Sequence, residues 1–338
     1  MYETYYGLNA KPFQLNPDPS FFFGSRGHKR AFAYLQYGLF QSEGFIVITG
    51  EIGAGKTTLV RSLLEQLDAS KVIAAQLVST QLDAEDMLRA VAAAFGLPIR
   101  ATEKAELLAT LEAFLCQQLQ ERRRALLVVD EAQNLTPRAI EELRMLSNFQ
   151  FGDRALLQSF LVGQPELRAL MQSREMQQLR QRVIASYHLG PMDRQETQAY
   201  VEHRLTRVGW NLDPSFEPGA FDAIYTASSG LPRRINTVCN RVLLAAYLAE
   251  KHVVSAADVD NVAEEMLKEL GPDGGLSATV SAAHKGNGAT HASAGGDGIA
   301  GLDERMRRLE RTMTATIDLL HQLLHKEGQP LPRDRTKA

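Results

Sequence analysis

The residues of this chain best suited to chemistry are Gly50-Glu51-Ile52-Gly53-Ala54-Gly55-Lys56-Thr57. Glycines in such a loop let successive backbone N–H groups turn toward a polyphosphate, and a helix starting at the Lys adds partial positive charge. Lys56 then reaches the β- and γ-phosphates, and the Thr57 hydroxyl holds Mg²⁺. These eight residues, with Thr58, are the expected nucleotide-binding set. A second pair, Asp130-Glu131, lies downstream. Asp130 is expected to hold Mg²⁺ through water. Glu131, one residue on and pointing elsewhere, is expected to polarise an attacking water as general base. That second carboxylate favours hydrolysis over transfer to a bound acceptor. ATP and Mg²⁺ are the ligands this pattern implies.

The loop follows the apolar run Phe45-Ile46-Val47-Ile48 and precedes Thr58-Leu59-Val60-Arg61-Ser62-Leu63-Leu64, giving strand, loop and helix in the order phosphate binding requires. Asp130-Glu131 ends Ala125-Leu126-Leu127-Val128-Val129, a continuous apolar run of the kind a parallel strand buried on both faces shows. Carboxylates at such strand ends sit beside the phosphate loop in doubly wound sheets. The pattern predicts strands at 45–49, 72–78, 125–129, 157–162 and 184–189. Helices are predicted near 57–67, 84–95, 104–121, 136–149 and 175–182. This is an α/β P-loop NTPase core over 45–193, a three-layer fold around a parallel sheet.

From 194 to 270 the reading is helical only, at 194–208, 217–228, 232–250 and 255–269, which predicts a small all-α lid domain. Residues 1–44 are aromatic-rich, with a helix from His28 to Phe40 expected to pack at the nucleotide site. Tyr2, Phe13, Phe21, Phe22 and Phe23 are candidates for a wall over the base, with core packing as the alternative for most of them. Residues 271–300 are rich in Gly, Ala and Ser and read as a flexible linker. An amphipathic, coiled-coil-like helix over 301–326 carries Leu302, Met306, Leu309, Met313, Leu320 and Leu323, suited to self-association or to docking on a partner. Residues 327–338 read as a disordered tail.

Composition narrows the field. The chain has 338 residues, 44% hydrophobic and 23% charged, enough for two folded units and a tail. A formal charge of −3 gives no global reason to expect nucleic acid. Cys116 and Cys239 sit in helical patterns and read as packed thiols in a reducing compartment. No basic-then-apolar start and no apolar run near the ~20 residues of a membrane helix is visible. The expected location is the cytoplasm, peripheral to the inner membrane only through a partner.

Gln164 follows the strand at 157–162, where an amide can reach a γ-phosphate or the attacking water; an ordinary polar turn residue is the alternative. Together with Tyr6-Gly7-Leu8, Pro12-Phe13, Pro17-Asp18-Pro19, Asp130-Glu131-Ala132-Gln133-Asn134-Leu135, Val162-Gly163-Gln164-Pro165-Glu166-Leu167 and Leu179-Arg180-Gln181-Arg182, these elements resemble an AAA+ ATPase. More narrowly, they resemble the general secretion pathway protein A (ExeA-like) group. The resemblance covers about 1–270 and is closest to ATPases associated with exosortase/PEP-CTERM systems.

The resemblance implies that Gln164 is a sensor-1 residue, and that Arg182, with Arg180 in reserve, is an arginine finger at a subunit edge. Arg233, opening a lid helix after Gly230-Leu231-Pro232, fits a sensor-2 arginine. It also implies a homo-oligomer, such as a ring or ATP-dependent assembly, and a protein partner at a membrane export complex reached through the C-terminal helix. The leading expectation is a mechanochemical ATPase in surface polysaccharide or protein export. A DNA-dependent ATPase of transposition or replication-initiator type is the alternative. There Arg122-Arg123-Arg124 and the arginines of 204–207 would contact phosphates. A slowly hydrolysing, nucleotide-gated adaptor is a third.

Overall fold

The computed structural model describes residues 1–78, 82–98 and 103–270. These fall within one unit of the chain, Met1–Thr279. The expected linker, amphipathic helix and tail beyond 270 lie outside the described residues.

Five apolar runs become five parallel strands: β1 Phe45–Gly50, β2 Val72–Val78, β3 Arg124–Asp130, β4 Leu157–Gly163 and β5 Val183–Leu189. Their spatial order is β2-β3-β4-β1-β5, and every neighbouring pair is parallel. All residues of β1 and β4 are buried, as strands covered by helices on both faces are, including the polar Gln158 and Ser159 of β4. From β1 the chain crosses three positions to β2 at the sheet edge, returns through β3 and β4, and ends at β5 on the far side of β1. The crevice outside the carboxyl ends of β1, β3 and β4 is therefore a topological switch point, where ligands bind in open α/β sheets.

Alternation along β1 divides the core into two layers. Phe45 and Val47 pack with Leu127, Val129 and Leu161 under the helices Ala84–Ala94, Lys104–Gln120 and Pro137–Leu146. Ile46 and Ile48 face the other way, against Leu126, Val128 and Phe160, with Leu35, Leu59 and Leu63 from the helices Arg26–Gln41 and Lys56–Glu65. Four further helices, Arg194–Arg207, Pro218–Ser228, Pro232–Leu248 and Ala256–Leu270, enclose a separate core around Val201, Leu205, Ile224, Ile235, Leu243 and Val259. A capping box of Asp193 and Glu196 starts the first of these. Tyr2, Tyr6, Leu8 and Phe13 belong to this second core, so the N-terminus packs on the lid helices.

The predicted strands match to within two residues at each end. Three features depart from the sequence reading. The lid is not purely helical: Ser215–Phe216 pairs in parallel with Val253–Val254. A two-residue hairpin, Gln150–Phe151 with Arg154–Ala155, ends the helix predicted over 136–149 at Leu146. A helix at Pro165–Gln172, with Pro at its first turn, follows β4, and the helix expected over 175–182 is reduced to Gln177–Arg180. Two-residue ladders leave no readable alternation, and short helices owe their existence to packing rather than propensity.

Candidate nucleotide site

The loop after β1 turns on two glycines in the left-handed region, Gly53 at φ 80° and Gly55 at φ 95°. A side chain at either would be strained there. Both are also crowded: a Cβ at Gly53 would lie 2.4 Å from the Arg233 Cβ, and one at Gly55 would lie 2.8 Å from His28 Nε2. The helix Lys56–Glu65 begins immediately after Gly55, so its first N–H groups open into the crevice.

Lys56 is 6% exposed, and its ammonium donates to Gly50 O at 2.7 Å and Glu51 O at 3.0 Å. Burial lowers its pKa; Glu131, Asp130 and Glu51 oppose that shift without cancelling it. Asp130, 3% exposed at the end of β3, accepts from the Thr57 hydroxyl at 2.9 Å and from the Glu131 N–H at 3.0 Å. Burial nevertheless raises its pKa. Thr57 and Asp130 thus place two oxygens side by side, one of them a buried carboxylate whose charge lacks full compensation. This donor set fits a hard divalent cation such as Mg²⁺.

Glu131 adopts φ 53°, uncommon for a residue with a side chain. Its Oε2 accepts from Gln133 Nε2 at 2.6 Å and Gln164 Nε2 at 3.1 Å. Burial pushes this carboxyl up, but the two amides and Lys56 outweigh it, and the net pKa is lowered. The carboxylate is therefore ionised at neutral pH.

Lys56, Thr57, Thr58, Glu131 and Gln164 line one solvent-open cleft, where they meet Arg233 from the lid. Its apolar lining comes from Phe21, Phe22, Phe23, Leu15, Met192 and Pro232. Of the aromatic candidates, Phe21, Phe22 and Phe23 reach this cleft, whereas Tyr2 and Phe13 are buried in the lid-side core.

Arg182 and Arg180 are not among the residues lining it. Arg182 Nη1 donates to Ser147 O and Oγ, both at 3.1 Å, and Arg180 Nη1 donates to Met171 O at 2.7 Å and Ser173 O at 2.8 Å.

Three positions take places at the site that sequence reasoning did not assign to them. His28 is buried beneath the loop, with its Nε2 3.1 Å from Ala54 O and its Nδ1 2.7 Å from Ser25 Oγ. Gln133 sits behind Glu131. Arg204, 6% exposed, lies on the cleft wall: its Nε donates to Pro12 O at 2.6 Å and its Nη1 to Tyr200 Oη at 2.8 Å, and the Phe21 ring lies 4.8 Å from the guanidinium carbon. It anchors the N-terminal segment and is not available to DNA phosphates, which corrects the expectation placed on the first arginine of 204–207. Their roles rest on contacts made in the fold, which a single sequence does not show, although Gln133 stands in the motif at 130–135 and Arg204 among the arginines of 204–207.

The parallel sheet and the glycine loop between β1 and the helix Lys56–Glu65 define the α/β P-loop NTPase fold. Residues 39–171 match the family described as AAA domain. The chain is 38% identical over 267 residues to General secretion pathway protein A of Aeromonas hydrophila, an alignment covering 79% of this chain and 48% of that protein. It therefore spans about half the length of the curated relative it matches. Among solved structures it is similar to the Aeropyrum pernix ORC2 protein (TM-score 0.59, 19% identity, 76% of this chain and 72% of that one). It is also similar to Cdc6p from Pyrobaculum aerophilum (TM-score 0.55, 17% identity, 74% and 71%). At these identities the likeness carries the fold alone. No helix of the described residues is long and apolar enough to cross a membrane.

Proposed function

We propose that this chain is an AAA+ ATPase, a nucleotide-driven switch of the general secretion pathway protein A type, with ATP held between the sheet and the lid and hydrolysed there. The observation that carries the reading is the convergence of Lys56, Thr57, Glu131, Gln164 and Arg233 on one cleft from separate segments of chain, with Asp130 hydrogen-bonded to Thr57. Lys56 exchanges its bonds to the loop carbonyls for phosphate oxygens. Thr57 and Asp130 would hold Mg²⁺, which when bound supplies charge neutralisation at the β- and γ-phosphates. Glu131 accepts the proton of the attacking water, and Gln164 orients that water or the γ-phosphate. Arg233 reads the nucleotide from the lid, so that hydrolysis changes the lid's position.

Arg182 lies off its own cleft, and in this reading it serves a neighbouring subunit's cleft in a homo-oligomer. The finer role is export of surface polysaccharide or protein with an exosortase/PEP-CTERM system. It rests on sequence resemblance, with docking through residues 301–326.

Glu131→Gln tests the reading directly. ATP affinity is expected to stay within about twofold of wild type while turnover falls by roughly 10²-fold or more. Turnover at the wild-type rate would remove Glu131 as the base. Arg182→Ala is expected to bind ATP normally yet hydrolyse it roughly 10³-fold more slowly, and to recover activity when mixed with Glu131→Gln subunits.

A further inference from the structure

We propose that Gln133 is a positioning residue for hydrolysis, its one amide fixing both the Glu131 carboxylate and the backbone at Gln164. The proposal rests on the reading of Glu131 as the base. Gln133 Nε2 donates to Glu131 Oε2 at 2.6 Å, and its Oε1 accepts from the Gln164 N–H at 3.0 Å. One planar group therefore joins the end of β3 to the end of β4, the two strand ends that carry the cleft's carboxylate and amide.

The local chain is shaped for this bridge. Glu131 at φ 53° turns the chain, and the single 3₁₀ turn Ala132–Asn134 closes with Asn134 N–H donating to Glu131 O at 3.0 Å, which brings Gln133 back behind the carboxylate. On the far side, a Cβ at Gly163 would lie 2.7 Å from Gln133 Oε1. The bridge thus requires a bare backbone at the end of β4. Side-chain length is fixed as well, because Asn lacks a methylene to reach both partners.

The bonding leaves a division of labour on the carboxylate. Gln133 and Gln164 both donate to Oε2, and neither donates to Oε1. Oε1 is consequently the oxygen left to accept a proton from water. Two donors on one oxygen hold the carboxylate plane and define which edge faces the cleft. Without Gln133 the carboxylate is held by one amide and can rotate, and small displacements of a catalytic group cost up to about 10²-fold in rate.

The test compares Gln133→Met, which keeps the length and removes both polar ends, with Gln133→Glu, which keeps the acceptor for Gln164 and removes the donor to Glu131. For each, steady-state ATP turnover is measured beside equilibrium nucleotide affinity and the thermal midpoint. Both variants are expected to keep nucleotide affinity within about twofold while kcat falls roughly 10–100-fold. Combining Gln133→Met with Glu131→Gln is expected to be no slower than Glu131→Gln alone, since the two act as one unit.

Wild-type kcat in Gln133→Met, or full rescue by Gln133→Glu, overturns the proposal. So does parallel loss of affinity, midpoint and rate, or failure of both variants to fold, which would make Gln133 a structural tie only. If Glu131→Gln itself turns over at the wild-type rate, the base reading fails; if that variant is slow and Gln133→Met is not, only the present proposal fails.

Discussion

The backbone N–H of Arg233 donates to Gly53 O at 3.1 Å, so the first turn of a lid helix is hydrogen-bonded to the phosphate loop itself. The lid helix and the loop are thereby connected without any side chain. Gly53 permits the approach, since a methyl there would sit 2.4 Å from the Arg233 Cβ at φ 80°. Gly53→Ala is expected to lower stability by about 1–2 kcal/mol through strain at positive φ. It should also weaken ATP binding as the lid separates from the loop. Thermal unfolding and nucleotide titration of the variant check both effects; unchanged affinity would show that the contact does not couple lid to ligand.

His28 gives the site an acid-sensitive support. Burial lowers its pKa below the ordinary 6.5, and its contact with Ala54 O opposes that shift without cancelling it. The folded state therefore holds the ring neutral while the unfolded chain takes up a proton. Stability from this source is complete above pH 6.5 and declines as pH falls below it toward the folded pKa. His203 shifts in the same direction, again mainly by burial. The thermal midpoint of the wild type should drop between about pH 7 and pH 5 more steeply than that of His28→Gln. Parallel slopes would place the acid sensitivity elsewhere.

Arg204 is a buried cation held by neutral oxygens and by the faces of Phe21 and Tyr200. Tyr200 Oη also donates to Asn236 Oδ1 at 2.9 Å, and Asn236 Nδ2 donates to Gln14 O at 3.1 Å, so two lid helices grip the segment that walls the cleft. Arg204→Met is expected to cost about 3 kcal/mol, chiefly by leaving Pro12 O and its neighbours without a donor. Denaturant unfolding measures the loss. A change under about 0.5 kcal/mol would show the anchor to be dispensable.

Gly38 marks where the helix Arg26–Gln41 meets β1. A Cβ there would fall 2.4 Å from Ile46 Cγ1, inside van der Waals contact. Gly38→Ala is expected to destabilise by about 1–3 kcal/mol through overpacking, despite the better helix propensity of Ala. A raised midpoint would mean that the helix shifts at no cost.

Most of the scaffold and the loop-side half of the candidate site are legible in the chain itself. β1 and β3 are continuous apolar runs buried on both faces, a pattern that shows from Phe45 to Ile48 and from Ala125 to Val129. Gly53, Gly55, Lys56, Thr57, Asp130 and Glu131 are consecutive or paired in sequence, so their chemistry shows in their spacing. Gln133 is visible there only as part of a motif, because its role depends on φ 53° at Glu131 and on the end of a different strand. Arg204 reads as a basic surface residue, since its partners Pro12, Tyr200 and Asn236 assemble only in the folded lid. The hairpin at Gln150–Phe151 and the bridge at Ser215–Phe216 are too short to leave a periodicity.

The central claim is that ATP is gripped by the loop from Gly50 to Thr57 through the buried Lys56. Calorimetric titration of ATP with Mg²⁺ into wild type and Lys56→Ala tests it most directly. One nucleotide per chain in the wild type, with affinity weaker by about tenfold or more in a folded Lys56→Ala, is the expected result. Equal affinity in the two proteins would contradict the account.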